Sequence, residues 1–212
     1  MRVAYPVSVT IQPPLGERNR LTVAFRLLLA IPHLIIVGGV GLGLAVRSGR
    51  GDSTSLGGET GLLGAVVWIL AIVSWVTIVI GGEHVNAIRR LTRFYLRWRV
   101  RALAYTMLLE DRYPPFGDAA YPATLMIENP PAQRNRVTVG FRIFLAIPHL
   151  IVLIFLIMAW WITAFVGWLA ILIDQPYPAP LYTFGVGALQ WLIRVEAYML
   201  LMTDEYPPFS FT

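Results

Sequence analysis

The stretch Arg18–Val37, RNRLTVAFRLLLAIPHLIIV, returns at Arg134–Leu153 as RNRVTVGFRIFLAIPHLIVL, and its segment Leu29–Ile35 is unchanged at Leu145–Ile151. The offset is 116, and Tyr5-Pro6 and Tyr121-Pro122 obey it too. Further on, a second ungapped register holds at an offset of 93. Trp68 matches Trp161, Trp75 matches Trp168, Trp98 matches Trp191, Arg101 matches Arg194, Asp111 matches Asp204, and Tyr113–Phe116 matches Tyr206–Phe209. Two such registers make the chain a duplication. Their difference, 23 residues, is an insertion in the first copy, expected near the polar stretch Arg47–Gly61.

Composition sets the class. The 212 residues are 57% hydrophobic and 14% charged, well below the roughly one quarter usual for soluble domains. With a mean hydropathy of +0.64, part of the solvent is lipid. The absence of cysteine removes disulfides, thiolate metal sites and cysteine catalysis. All 17 basic residues are arginine, so lysine chemistry is absent and every positive charge is a permanently ionised planar group. The formal net charge of +5 suits nucleic acid or anionic lipid, and the positions of the arginines favour lipid. The opening segment has prolines at 6, 13 and 14 and no apolar core of signal-peptide length. Tyr5–Ile11 alternates as a short strand, and the two YP-strands are expected to pair into a small ribbon.

The apolar runs Leu21–Val46 and Leu62–Ile80 each suffice to cross a bilayer. Val137–Ile173 is 37 residues without a polar break, about 55 Å as one helix against a hydrocarbon core of about 30 Å. Either it turns near Met158–Trp161 as a tight hairpin, or Arg134–Pro148 lies on the surface and His149–Ile173 crosses alone. The hairpin places 15 arginines on one side and only Arg47 and Arg50 on the other. That bias selects the hairpin, with both termini cytoplasmic and Trp160 and Trp161 at the outer interface.

His84–Glu110 reads as an amphipathic helix. Ile88, Leu91, Tyr95, Trp98, Ala102, Tyr105 and Leu109 form an apolar seam, and Arg89, Arg93, Arg97 and Arg101 stand at successive i+4 positions beside Arg90 and Arg99. Like charges in a row repel, so an anionic partner is expected along Arg89, Arg90, Arg93, Arg97 and Arg101, with lipid headgroups ahead of nucleic acid, whose readers usually present a larger basic surface than one helix. In the second copy, positions 89, 93 and 97 become Tyr182, Val186 and Gln190. That helix is expected to face the bundle or a partner.

Pro32-His33 and Pro148-His149 form a repeated pair inside apolar segments. The sharper alternative makes His33 and His149 ligands of a haem or metal between the copies. The plainer one gives each a hydrogen-bonding role at a proline-loosened turn, with no cofactor and no metal. Arg26 and Arg142 are expected to snorkel to the interface, and Arg101 and Arg194 to meet Asp111 and Asp204 or phosphate. Gly39-x-x-x-Gly43 allows close helix contact. The Tyr-Pro-Pro-Phe ends stop helices.

The order of YP-strand, RNR-x-T-V-x-F-R-x-x-L-A-I-P-H-L-I, apolar run and R-x-x-A-Y-x-x-L-x-x-D-x-Y-P-P-F resembles a bacterial membrane-protein family, the domain of unknown function 4389. The resemblance covers nearly the whole chain in two tandem copies. It implies a membrane protein and carries over no catalytic residue.

The expectation is an all-α integral membrane protein built from a duplicated helical-hairpin unit of about four transmembrane helices, with interfacial amphipathic helices and short cytoplasmic strands. Repeat 1 spans 1–117, with a transmembrane hairpin, an enlarged loop at 47–61 and the arginine helix at 84–110. Repeat 2 spans 118–212, with a hairpin at 137–173 and an apolar helix at 181–202. No nucleophile set, phosphate loop or paired-carboxylate signature appears. The expected role is therefore a non-catalytic, lipid-engaging scaffold or accessory subunit of a larger complex in the bacterial cytoplasmic membrane. Its partners would be anionic lipid and other membrane subunits, with no nucleic acid. The alternatives are a small transporter or channel between the repeats and a cofactor-holding electron-transfer subunit.

Overall fold

The computed structural model describes residues 5–14, 18–40, 61–82, 84–130 and 134–211. Repeat 1 contributes β1 (Val7–Ile11), α1 (Arg20–Ala24), α2 (Arg26–Val37), α3 (Gly61–Gly81) and α4 (Asn86–Thr106). Repeat 2 contributes β2 (Ala123–Ile127), α5 (Arg136–Gly140), α6 (Arg142–Leu172) and α7 (Ala179–Met199). The RNR motif opens each short helix: the side-chain oxygens of Asn19 and Asn135 each accept from two first-turn N–H groups. Those donors have no partner within the helix, so the cap fixes its start.

The expected hairpin at 137–173 does not form. The helix α6 runs unbroken through Met158–Trp161 for 31 residues, about 46 Å. Nothing in that sequence stops a helix, and Trp160, expected at an interface, is fully buried. The buried stripe of α6 is Arg142, Ala146, His149, Leu153, Trp160, Ala164, Gly167 and Ile171, the three-and-four step of one helix face. In repeat 1 the same positions, by the two offsets, are Arg26, Ala30, His33 and Val37 on α2 and Val67, Ala71, Ser74 and Ile78 on α3. Thus α2 and α3 are halves of one rod.

Their ends touch: a Cβ on Gly61 would collide with the backbone of Ile36 and Gly38, and Gly61 adopts φ +66°, open to glycine at little cost. The 23-residue insertion interrupts the rod rather than enlarging a membrane turn. Residues 41–60, with Gly43, Arg47, Arg50 and most of the 47–61 loop, lie outside the described residues. Among the described residues two helices, α3 and α6, are long and apolar enough to cross a membrane, in place of the four expected.

The return helix α4 packs along α2 and α3, α7 packs along α6, and α4 meets α7. The two strands pair antiparallel, as expected, with Val9 opposite Leu125. Those residues are counterparts at offset 116, so a pseudo-twofold axis passes through the ribbon's centre. Around that axis the repeats trade contacts. Trp75 Nε1 donates to the Val139 carbonyl of α5 at 3.0 Å, and Trp168 Nε1 donates to the Val23 carbonyl of α1 at 3.1 Å.

Within each repeat, arginines close the C-terminus of the return helix. Arg26 donates to the Glu110 carbonyl at 3.0 Å and to Asp111 at 2.6 Å, with its guanidinium 4.7 Å from the Tyr105 ring centre. Arg142 donates to the Tyr198 carbonyl at 2.6 Å and to Asp204 at 2.8 Å, 4.4 Å from the Tyr198 ring. Arg18 and Arg134 join them, on Asp111 at 3.3 Å and Asp204 at 2.6 Å, and reach the carbonyls of Leu108 and Leu201. Both leucines have left-handed φ, 63° and 64°, a strain of order 1 kcal/mol or more. The cations answer the negative end of the helix dipole. The snorkelling expected of Arg26 and Arg142 is thereby overturned, since each is only 2% exposed.

Two outcomes follow. Asp204→Asn leaves Arg134 and Arg142, both buried, without their carboxylate. Stability is expected to fall by about 3 kcal/mol, read as a drop of roughly 10 °C in the thermal midpoint in mild detergent; an unchanged midpoint contradicts the cap. Removing residues 38–60 joins Val37 to Gly61 in the register of α6. This variant should unfold cooperatively within about 5 °C of the parent; loss of the cooperative transition contradicts the interrupted rod.

Candidate functional site

The outer rods carry the surface that most needs a partner. The charged residues on α2, α3 and α6 are Arg26 and Arg142, both buried. Large apolar side chains cover the rest: Leu28, Ile35, Ile69, Ile72, Phe144, Phe155, Ile162 and Phe165 are all more than half exposed. Only 28% of the apolar window of α3, and of α6, is buried. A monomer's largest apolar patch is ordinarily a few hundred Å², and a surface running along two rods exceeds it. At the rims, Arg20 and Arg136 stand exposed beside Leu21 and Val137, which are 70% and 68% exposed.

The opposite side is polar. The ribbon packs with β2 on α4 and β1 on α7, against the middle of those helices: Arg194 Nε donates to the Val7 carbonyl at 3.3 Å, and Arg97 and Arg101 line a shallow pocket with Thr124 and Leu125. Among the described residues the sheet has two strands, so each has one edge that no other described strand covers.

The arginine row of α4 looks toward the ribbon and away from the rods. Arg89 donates to Asn86 at 2.7 Å and Arg93 to Asn129 at 2.8 Å. Arg97 and Arg101 both lie 3.9 Å from Asp118, and Arg101 also donates to the Gly117 carbonyl at 2.6 Å. Arg90 is exposed. Burial first, then the neighbouring guanidiniums of Arg97 and Arg89, lowers the Arg93 pKa from the usual arginine value. The chain's own acceptors thus meet part of the row, and Asp118 supplies the anion at its C-terminal end. The seam of Tyr95, Trp98, Ala102 and Tyr105 is buried against α2 and α3, and α7 from Gly185 to Tyr198 is largely buried within the chain.

Arg101 and Arg194 do not reach Asp111 and Asp204, which the RNR and FR arginines occupy. Glu196 of α7 crosses the axis instead. It receives Arg99 Nε at 2.8 Å and the Tyr95 hydroxyl at 3.1 Å, while Arg99 also donates to the Val37 carbonyl at 2.7 Å. The counterparts of Arg99 and Glu196 are Leu192 and Leu103, so the pairing was invisible to the repeat.

The two histidines occupy separate cages. Trp98 Nε1 donates to His33 Nδ1 at 2.9 Å, and Phe116 stacks on the imidazole at 4.3 Å with Tyr113 at its edge. Trp191 donates to His149 Nδ1 at 3.2 Å, with Phe209 stacked at 4.0 Å and Tyr206 alongside. Each cage comes from its own repeat, and both imidazoles are fully buried. An Nδ1 that accepts an indole proton places the neutral ring's own proton on Nε2. The Tyr-Pro-Pro-Phe ends therefore do more than stop helices: they close the cages. Among the described residues no group of three metal-binding side chains occurs.

The chain belongs to the family described as a domain of unknown function (DUF4389), whose model matches residues 60–117 and 136–210, one segment in each repeat. No curated protein and no solved structure matches the chain.

Proposed function

We propose that the protein is a non-catalytic scaffold seated in one leaflet of the bacterial cytoplasmic membrane, its rods lying in the membrane plane. The observation that carries this reading is the division of the molecule: apolar rods without exposed charge on one side, and on the other a ribbon, its outer edges covered by no other described strand, set against the middle of α4 and α7. If α3 and α6 stood upright, the ribbon and the arginine row would sit at hydrocarbon depth. Open strand edges and half-exposed guanidiniums are too costly there. Laid flat, the rods bury their apolar side chains among acyl tails as an interfacial helix does. Arg20 and Arg136 then meet headgroup phosphates at the rims, and the ribbon and arginine row face water. The excess of arginine argues for the cytoplasmic side. The row from Arg89 to Arg101 offers acidic segments of neighbouring subunits, or headgroups drawn up beside α4, a set of bidentate donors.

Flotation tests the reading. The purified chain should float with phosphatidylcholine vesicles and stay bound in 1 M salt, since apolar burial is not screened. The Ile69→Glu/Ile162→Glu variant, altered only at exposed rod positions, should keep its circular dichroism and lose flotation. Release of the parent by salt, or retention of the folded variant on vesicles, overturns the reading.

A further inference from the structure

A cavity of about 660 Å³ opens where the C-terminal end of α6 meets the start of α7, lined by Arg18, Arg20, Ile171, Asp174, Tyr177 and Tyr182. The Tyr177 and Tyr182 hydroxyl oxygens are shut away from bulk water and have no hydrogen-bond partner among the described residues. Burying two phenols this way costs free energy unless an acceptor arrives. The rings are held in place: they meet edge to face at 6.1 Å, the Arg18 guanidinium lies 5.4 Å from the Tyr177 ring centre, and Tyr177 packs on Gly167 so closely that any Cβ there would collide with it. Burial pushes the Tyr177 phenol up to about 12 and raises Tyr182 for the same reason, so both are donors at neutral pH. Arg18 is engaged by Asp111 and Arg20 by Asp174, leaving little excess positive charge, which suits a monoanion better than a dianion.

A second cavity, lined by Thr77, Ile80, Gly81 and His84, stands at the counterpart rod end, but its chemistry differs. At offset 93, Tyr177, Tyr182 and Asp174 become His84, Arg89 and Gly81, so the counterpart lacks both hydroxyls. Two of the lining residues of the tyrosine cavity, Arg20 and Asp174, are flanked in sequence by the exposed apolar residues Leu21 and Ile173.

We infer that this cavity holds the phosphodiester of one membrane phospholipid, its oxygens accepting from Tyr177, Tyr182 and Arg20 and its acyl chains lying over Leu21 and Ile173. This deepens the membrane reading and rests on it, but its test needs no bilayer. In neutral maltoside micelles, thermal unfolding is followed while dihexanoyl phosphatidylglycerol or glycerol phosphate is added. The lipid should raise the midpoint saturably at one molecule per chain, and the Tyr177→Phe/Tyr182→Phe variant, which keeps both rings, should bind it at least tenfold more weakly. An equal rise with glycerol phosphate assigns the cavity to a soluble phosphate ester and overturns the lipid assignment. No rise with either ligand, or a rise the double variant retains, overturns the site. Failure here with flotation intact removes the site alone; loss of flotation removes the membrane reading.

Discussion

A guanidinium taken out of water must find a carboxylate and carbonyls within reach, and in this chain that demand fixes each repeat. Arg26 and Arg142 begin the apolar rods yet are buried, and the charge each carries is met at the far end of the return helix by Asp111 or Asp204. The same contact holds the rod against its return helix, fills the dipole end of α4 or α7, and supports the left-handed leucines. Replacing such clusters by apolar residues is often neutral, whereas removing one member is costly. The cluster therefore sets geometry more than it adds stability. Arginine suits it, because a planar fork can serve a carboxylate and a backbone carbonyl together.

With each repeat closed in this way, the two are joined by contacts of another kind. The ribbon is symmetric about Val9 and Leu125, and the tryptophan exchange is symmetric as well. The Arg99–Glu196 pair is not: it sits fully buried at the crossing of α4 and α7, where the repeats have diverged. Divergence also separates the two rod ends, with tyrosines at one and His84 and Arg89 at the other. The two rod ends have thus diverged in chemistry, and of the two only the second carries the tyrosine pair.

Much of this was legible in the residues. Two constant offsets exposed the duplication, alternation in Tyr5–Ile11 exposed the ribbon, and the three-and-four seam exposed α4. The run at 137–173 misleads because its length, too great for an upright helix, points to a fold back that the unbroken α6 does not make. An apolar rod lying along a surface meets the same hydropathy pattern, and neither reading leaves a polar residue to mark a turn. The arginines misled for a related reason: charge at the start of an apolar helix predicts an interface, while the carboxylates that capture Arg26 and Arg142 lie 85 and 62 residues away. Of the candidate site residues, the sequence identified the arginine row and the histidines, and the structure turns the former toward the ribbon and encloses the latter. The tyrosine cavity left no motif, since it is assembled from two segments far apart in sequence, at 13–20 and 171–183.

Depth along α6 tests the central claim most directly. The chain has no cysteine, so single cysteines at the exposed positions Phe144, Phe155 and Ile162 can each carry a nitroxide in vesicles. Phe144 and Ile162 lie about 27 Å apart along the helix. If the rods lie in the membrane plane, collision with oxygen and with a nickel chelate should place all three labels at one depth, to within about 5 Å. Depths that run progressively across the roughly 30 Å hydrocarbon core from Phe144 to Ile162 would contradict it.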